Sequence, residues 1–257
     1  MSRSRSSGVA TAQLDTDRLS PDEGWVSPQR ERTSAMAIRR WLGWLALAVI
    51  VGMQAGTLFK PFGDVGSTRV ADWIDLLTPF AIVGCAAMVL DRSGADRRSW
   101  SVFGVGSVAF VLGHGLQLSA NSISNVDQVA VAQASIVHLW DEVASHYIWY
   151  SGLFIVLVAL VFALRDQAFE LRPASVVIAL AFAVTLVNTY IEGGVPWLGI
   201  AFLASGAITG LALRPAPVAR LVLLIGVVGL LLLLSWGAYW YVADGTVFPE
   251  FSDVGWI

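Results

Sequence analysis

Seven long apolar stretches, separated by short charged or Gly- and Pro-containing segments, constrain the fold of this chain more than any other feature. A hydrocarbon core of about 30 Å takes roughly 20 apolar residues of helix to cross. Seven segments meet that requirement, at about 41–60, 71–91, 100–123, 136–164, 174–192, 196–213 and 220–243. The mean hydropathy is +0.68, and 56% of the residues are hydrophobic against 14% charged. We therefore expect an all-α, polytopic integral membrane protein with seven transmembrane helices, embedded in the lipid bilayer of the cell membrane.

The two ends of the sequence differ in composition. Residues 1–37 are rich in Ser, Arg, Asp and Glu and contain no long apolar run, so they cannot bury enough surface to fold alone. We interpret them as a disordered cytoplasmic tail and residues 38–257 as the seven-helix membrane domain. The single Cys85 excludes an intramolecular disulfide and any multi-cysteine metal site. The net charge of −3 gives no reason to expect a nucleic-acid partner.

Arginine placement predicts the orientation of these spans. Fourteen cationic residues lie in the N-terminal tail or after the second, fourth and sixth spans, whereas the alternate loops hold only Lys60 and Arg69. Positively charged residues collect in cytoplasmic loops. The N-terminus is therefore predicted to be cytoplasmic and the C-terminus external.

All three histidines lie within 33 residues, in the stretches GHGLQLSANSISN (113–125) and HLWDEVASHYIWY (138–150) of the third and fourth spans. Titratable groups inside a bilayer are costly to bury and usually serve function. If the two spans form an antiparallel hairpin, residues whose numbers add up to about 260 lie level. His114 and His146 then reach the same depth, roughly 13–15 Å below the external surface at 1.5 Å per residue.

Imidazole and carboxylate groups are usual ligands for zinc or iron. The predicted metal ligands are His114 and His146, with Asp141 or His138 as the third. Glu142 lies one helical turn from His138 and from His146, where it could act as general base on a metal-bound water, with Asp141 as the other candidate catalytic carboxylate. Four polar side chains on the same helix faces are predicted to orient the ligands or stabilise an oxyanion: Ser119, Asn121, Ser145 and Gln117.

Several functions fit this pattern. One is an intramembrane metal-dependent hydrolase or oxidoreductase that acts on a lipidic substrate from the external side. Another is a transporter or sensor that uses the same groups for protons or a divalent ion. A third is a bis-histidine haem protein, because Gly113 and Gly115 remove bulk beside His114. The alternative without a ligand is a hairpin held together by pairing of Asp141 and Glu142 with the histidines. The expectation of unbroken helices and the absence of internal repeats slightly favour the enzyme over the transporter.

Overall fold

A computed structural model describes residues 28–66, 68–124 and 131–256. Its helices are α1 (Pro28–Gly52), α2 (Ala55–Phe59), α3 (Val70–Asp75), α4 (Thr78–Ser93), α5 (Arg97–Ser124), α6 (Val131–His138), α7 (Ser145–Leu164), α8 (Pro173–Glu192), α9 (Pro196–Ala212) and α10 (Pro217–Asp244). A π-helical segment, Leu139–Ala144, joins α6 to α7. Two-residue strands β1 (Asp64–Val65) and β2 (Thr68–Arg69) pair antiparallel.

The expected all-α membrane architecture is confirmed. Within the described ranges, six helices or helix pairs are long and apolar enough to cross a membrane. They leave large apolar side chains exposed, such as Phe80 (73%), Val108 (69%) and Val242 (85%), as lipid contact requires and as soluble monomers rarely do. The seventh apolar helix, α9, has 17 residues, about 25 Å at 1.5 Å per residue. Its crossing of the membrane, and the orientation, stay predictions.

The first span lies earlier in the chain than the expected 41–60. Its apolar helix runs over Ser34–Gly52, and α1 itself begins at Pro28, inside the segment predicted to be a disordered tail. Residues 1–27 of that tail lie outside the described residues. The helix ends at Gly52, where an added Cβ would lie 2.5 Å from the Thr78 side chain of α4. After Gly52 the chain turns and forms α2 and the β1–β2 hairpin.

Two spans depart from regular α-helix, contrary to the expectation of unbroken helices. The second span divides into α3 and α4 at Leu76 and Leu77, because Pro79 at the start of α4 cannot continue the hydrogen-bond pattern of α3. The fourth span contains the π-helical segment ahead of α7. Such π segments are frequent at functional sites, and this one contains Asp141 and Glu142.

Helices α5 and α7 form the predicted antiparallel hairpin. A Cβ at Gly113 would lie 2.3 Å from the Trp149 backbone nitrogen, and a Cβ at Gly152 would lie 2.2 Å from that of Phe110. The two backbones are therefore in direct contact, as small residues permit between membrane helices. Facing pairs have numbers that add up to 262, within two of the predicted register, so His114 and His146 are level along the hairpin.

The remaining helices pack around this hairpin. In the fourth span and in α8, half of the most apolar 18 residues are buried inside the bundle. The corresponding share is 22–33% in the other four candidate spans. The fourth span and α8 are therefore central. Helices α9 and α10 meet closely through Gly210 and Gly226, whose added Cβ atoms would each lie 2.6 Å from a backbone nitrogen of the facing helix. The segment after α10 folds back so that the Phe251 N–H donates to Glu192 at the end of α8.

Candidate functional site

His114 occupies the gap created by the break between α3 and α4. In a continuous helix the Asp75 carbonyl would accept from the nitrogen of residue 79, but Pro79 has no N–H to donate. His114 Nε2 lies 3.0 Å from this carbonyl oxygen. Because a carbonyl only accepts, the neutral imidazole carries its proton on Nε2. Its Nδ1 is buried and has no hydrogen-bond partner in the described part of the chain.

A carboxylate lies close to the His114 imidazole. Asp75 Oδ1 lies 3.6 Å from His114 Nε2, and the histidine is only 1% exposed. The other acidic residue of α3, Asp72, is already neutralised, since Arg69 donates to its two oxygens at 2.7 and 3.1 Å. Asp75 is therefore the carboxylate available to balance a charge on His114.

His146 repeats this arrangement at another helix terminus. Its Nδ1 lies 2.9 Å from the carbonyl oxygen of Gly193, the C-terminal cap of α8. Carbonyls at a helix C-terminus have no partner within the helix, so the imidazole N–H satisfies one of them. Glu142 Oε2 lies 3.6 Å from the same Nδ1, one turn earlier along the fourth span. The second ring nitrogen, Nε2, carries no proton when His146 is neutral.

Aromatic side chains connect the two histidines. The ring centroid of Trp149 lies 4.8 Å from that of His114 and 6.0 Å from that of His146. Tyr150 stacks on His146 at 5.3 Å with an interplanar angle of 7°, and its ring also contacts Trp149 at 4.9 Å and Tyr190 of α8 at 5.7 Å. Trp149, Tyr150 and Tyr190 are each at most 6% exposed. The two imidazoles therefore belong to one buried aromatic cluster.

The two imidazoles form hydrogen bonds with different parts of the chain. His114 donates toward α3 and His146 toward the turn after α8. Within residues 28–66, 68–124 and 131–256, no group of three or more His, Cys, Asp or Glu side chains is arranged to hold a metal ion. The predicted metal site of His114, His146, His138 and Asp141 is therefore without support from the described structure. The haem hypothesis used Gly113 as space for a porphyrin beside His114. In the structure the backbone of α7 occupies that space.

The other predicted site residues are spread over different environments. Ser119 donates to the Gly115 carbonyl and Ser145 to the Asp141 carbonyl, in each case four residues earlier in the chain. His138 is exposed at the end of α6, Asp141 is buried in the π-helical segment, and Gln117 and Asn121 are half-buried on α5. Glu142 lies beside one of its predicted partners, His146, with Oε2 3.6 Å from Nδ1.

A second group of carboxylates surrounds Glu142. Glu192 ends α8, and Glu250 lies in the segment after α10, where its Oε1 would be 3.1 Å from a Cβ at Gly194. Burial raises the pKa of Glu250, and the nearby carboxylates of Asp253 and Glu192 raise it further. This end of the bundle therefore concentrates acidic groups around the His146 imidazole.

Four residues of the site were not predicted from the sequence. Asp75 does have a signal in the sequence, because Pro79, four positions later, leaves the Asp75 carbonyl without a donor in the helix. Trp149 and Tyr150 stand three and four positions after His146, the spacing of one helix face. Glu250 lies far away in sequence, and no local pattern connects it to the site.

No family model matches the chain, and neither the curated proteins nor the solved structures contain one significantly similar to it. Function must therefore be argued from the site itself.

Proposed function

We propose that this multi-pass membrane protein is a proton-linked transporter in which His114 and His146 carry protons and Asp75 and Glu142 balance their charge. One observation carries the proposal. Each buried imidazole lies 3.6 Å from a carboxylate oxygen and donates to a carbonyl released by a helix break or end. Chains of carboxylates and histidines inside membrane domains are typical of proton relays.

The geometry suits a group that changes its protonation state. In the neutral state each imidazole keeps one N–H on a carbonyl, and its other nitrogen can accept a proton. An imidazolium in a low-dielectric interior is costly unless an opposite charge lies close, and a carboxylate is present in both places. Arg69 and Asp72 are the charged neighbours of Asp75; Asp141, Glu192 and Glu250 are those of Glu142.

The helix discontinuities also favour transport over catalysis. Transporter sites are typically formed where membrane helices are interrupted and backbone carbonyls become available. Here the break between α3 and α4 supplies Asp75, and the π-helical segment of the fourth span supplies Glu142; these are the partners of the two histidines. The apparent lack of broken helices was the sequence argument for an enzyme, and that argument no longer holds.

The metal-dependent hydrolase or oxidoreductase and the haem protein stay predictions from sequence. Metal analysis of protein purified under zinc- and iron-replete conditions tests them, with His114→Ala as the comparison. Stoichiometric metal or haem that His114→Ala removes would favour those functions over the proton relay.

Proton flux into liposomes tests the proposal directly. The full chain is reconstituted with an internal pH-sensitive dye, and a pH gradient is imposed with and without a counter-ion pathway. We expect flux above that of protein-free liposomes, and a return to that background in Glu142→Gln and in Asp75→Asn. Glu170→Gln, an exposed residue between α7 and α8, is the matched control and should keep wild-type flux.

Two results would overturn the proposal. One is wild-type flux equal to background. The other is wild-type flux in both carboxylate variants with only their thermal stability lowered, which is the result for a purely structural hydrogen-bond network.

A further inference from the structure

A large apolar cavity lies apart from the histidine pairs, between α1 and helices α7 to α10. Its volume is about 590 Å³, within the range of roughly 300–1,000 Å³ that small-molecule sites occupy. Aliphatic and aromatic side chains line most of it, among them Leu153, Phe182 and Leu203. Its lining extends from Tyr190 at one end to Arg39, Arg172 and the first residues of α8 and α10 at the other, and this second end is called the mouth.

Positive charge is concentrated at that mouth. Arg39 of α1 and Arg172, the residue before α8, both line the cavity. The arginine ion pairs found among the described residues involve Arg69, Arg92 and Arg165, so neither cavity arginine has a carboxylate partner there. The first turn of α8, with Ala174 and Ser175, lines the same opening, and a helix N-terminus favours an anion.

An apolar cavity with two cations at one end matches an amphiphile with an anionic head and a hydrocarbon tail. Arginine is the side chain best suited to phosphate, because its guanidinium donates in a planar fork. Basic pockets between membrane helices bind anionic lipid head groups, and these pockets lie on the cytoplasmic side. The arginine distribution predicts that this mouth faces the cytoplasm.

We propose that this cavity binds one anionic glycerophospholipid from the surrounding membrane. The phosphate lies between Arg39 and Arg172, and an acyl chain lies along α7 toward Tyr190. This site is independent of the proton relay, and the two proposals can fail separately.

Native mass spectrometry of the full chain tests this proposal. The protein is reconstituted in vesicles of phosphatidylglycerol and phosphatidylcholine in equal amounts and released in mild detergent. We expect one phosphatidylglycerol retained per chain. The double variant Arg39→Gln, Arg172→Gln should bind it about thirty-fold more weakly, from the loss of two interfacial cations. The control Arg40→Gln, Arg97→Gln removes two exposed arginines outside the cavity and should retain the lipid.

A second variant tests the cavity without changing charge. Gly43 lines the cavity, and a Cβ there would meet nothing within 4 Å. Gly43→Phe should therefore fill the space and exclude the lipid while the protein folds. Gly84→Phe, on α4 outside the cavity and equally open, is its control. Equal retention of phosphatidylcholine, lipid retained by Gly43→Phe, or a second copy of the chain in place of lipid would each overturn the proposal.

Discussion

Substitution of Gly113 by alanine should separate α5 from α7 and destabilise the protein. The new Cβ would lie 2.3 Å from the Trp149 nitrogen and 2.6 Å from its Cα, whereas ordinary contact begins at 3.4 Å. The backbones must therefore move apart by about 1.1 Å. A gap of roughly 0.5–1 Å forfeits a quarter to a half of each dispersion contact, and overpacking a tight interface typically costs about 1–3 kcal/mol.

Gly115, on the other side of His114, provides the matched control. A Cβ at Gly115 meets nothing within 4 Å, so Gly115→Ala changes only helix propensity, which favours alanine by about 0.5–1 kcal/mol. Both variants gain this propensity, so the free energy of unfolding of Gly113→Ala should fall below that of Gly115→Ala by the overpacking cost, about 1–3 kcal/mol. Gly152→Ala should behave like Gly113→Ala, because its Cβ would lie 2.2 Å from the Phe110 nitrogen.

Denaturation in mixed micelles, followed by the fluorescence of the 11 tryptophans, measures these differences. Equal unfolding free energies for Gly113→Ala and Gly115→Ala would refute the direct backbone contact, and with it the register that places His114 and His146 level.

Further predictions concern other parts of the chain. Burial raises the pKa of Glu250, so ionisation of this side chain destabilises the folded protein at neutral pH. Glu250→Gln should therefore raise the melting temperature at pH 7. The variant and the wild type should have the same melting temperature below the ordinary pKa of 4.5, where the carboxyl is protonated in both the folded and the unfolded state. The Ser99 N–H donates to Asp96 and lowers the pKa of that carboxyl. Asp96→Ala should therefore lower the melting temperature at pH 7. This difference in melting temperature should disappear as the pH falls well below 3.8, where the wild-type carboxyl is protonated. Gly210→Ala should destabilise the pairing of α9 with α10 by about 1–3 kcal/mol. Gly206→Ala, with its nearest contact at 3.7 Å, should instead stabilise by the helix-propensity gain of about 0.5–1 kcal/mol in the same micelle denaturation.

The membrane architecture and the hairpin register could be predicted because both depend on local features. Apolar length and punctuation identify the spans, and the short connection between the third and fourth spans makes them neighbours in space. That reasoning placed His114 and His146 at one depth. The first span was misplaced because apolar residues continue past Gly52 to Phe59, although the helix ends where it packs against Thr78.

The chemistry of the site depended on contacts that no local pattern reveals. The direction of an imidazole is decided by where a hydrogen-bond acceptor lies, and the acceptors are carbonyls of residues 39 and 47 positions away along the chain. Depth alone suggested a shared ligand, whereas the helix break at Pro79 and the end of α8 draw the rings toward different partners. Glu250 joins the site only because the chain after α10 folds back.

Nitrogen-15 NMR of the imidazoles tests the proton relay most directly, because the chain has only three histidines and exposed His138 is an internal reference. We predict that the neutral imidazole of His114 carries its proton on Nε2 and that of His146 on Nδ1, because each of these nitrogens faces a carbonyl oxygen. Glu142→Gln should change the nitrogen shifts of His146 and leave those of His114 in place, and Asp75→Asn should do the reverse, since each carboxylate lies 3.6 Å from only one of the two rings. Nitrogen shifts of His114 and His146 that respond to neither carboxylate substitution would contradict the account.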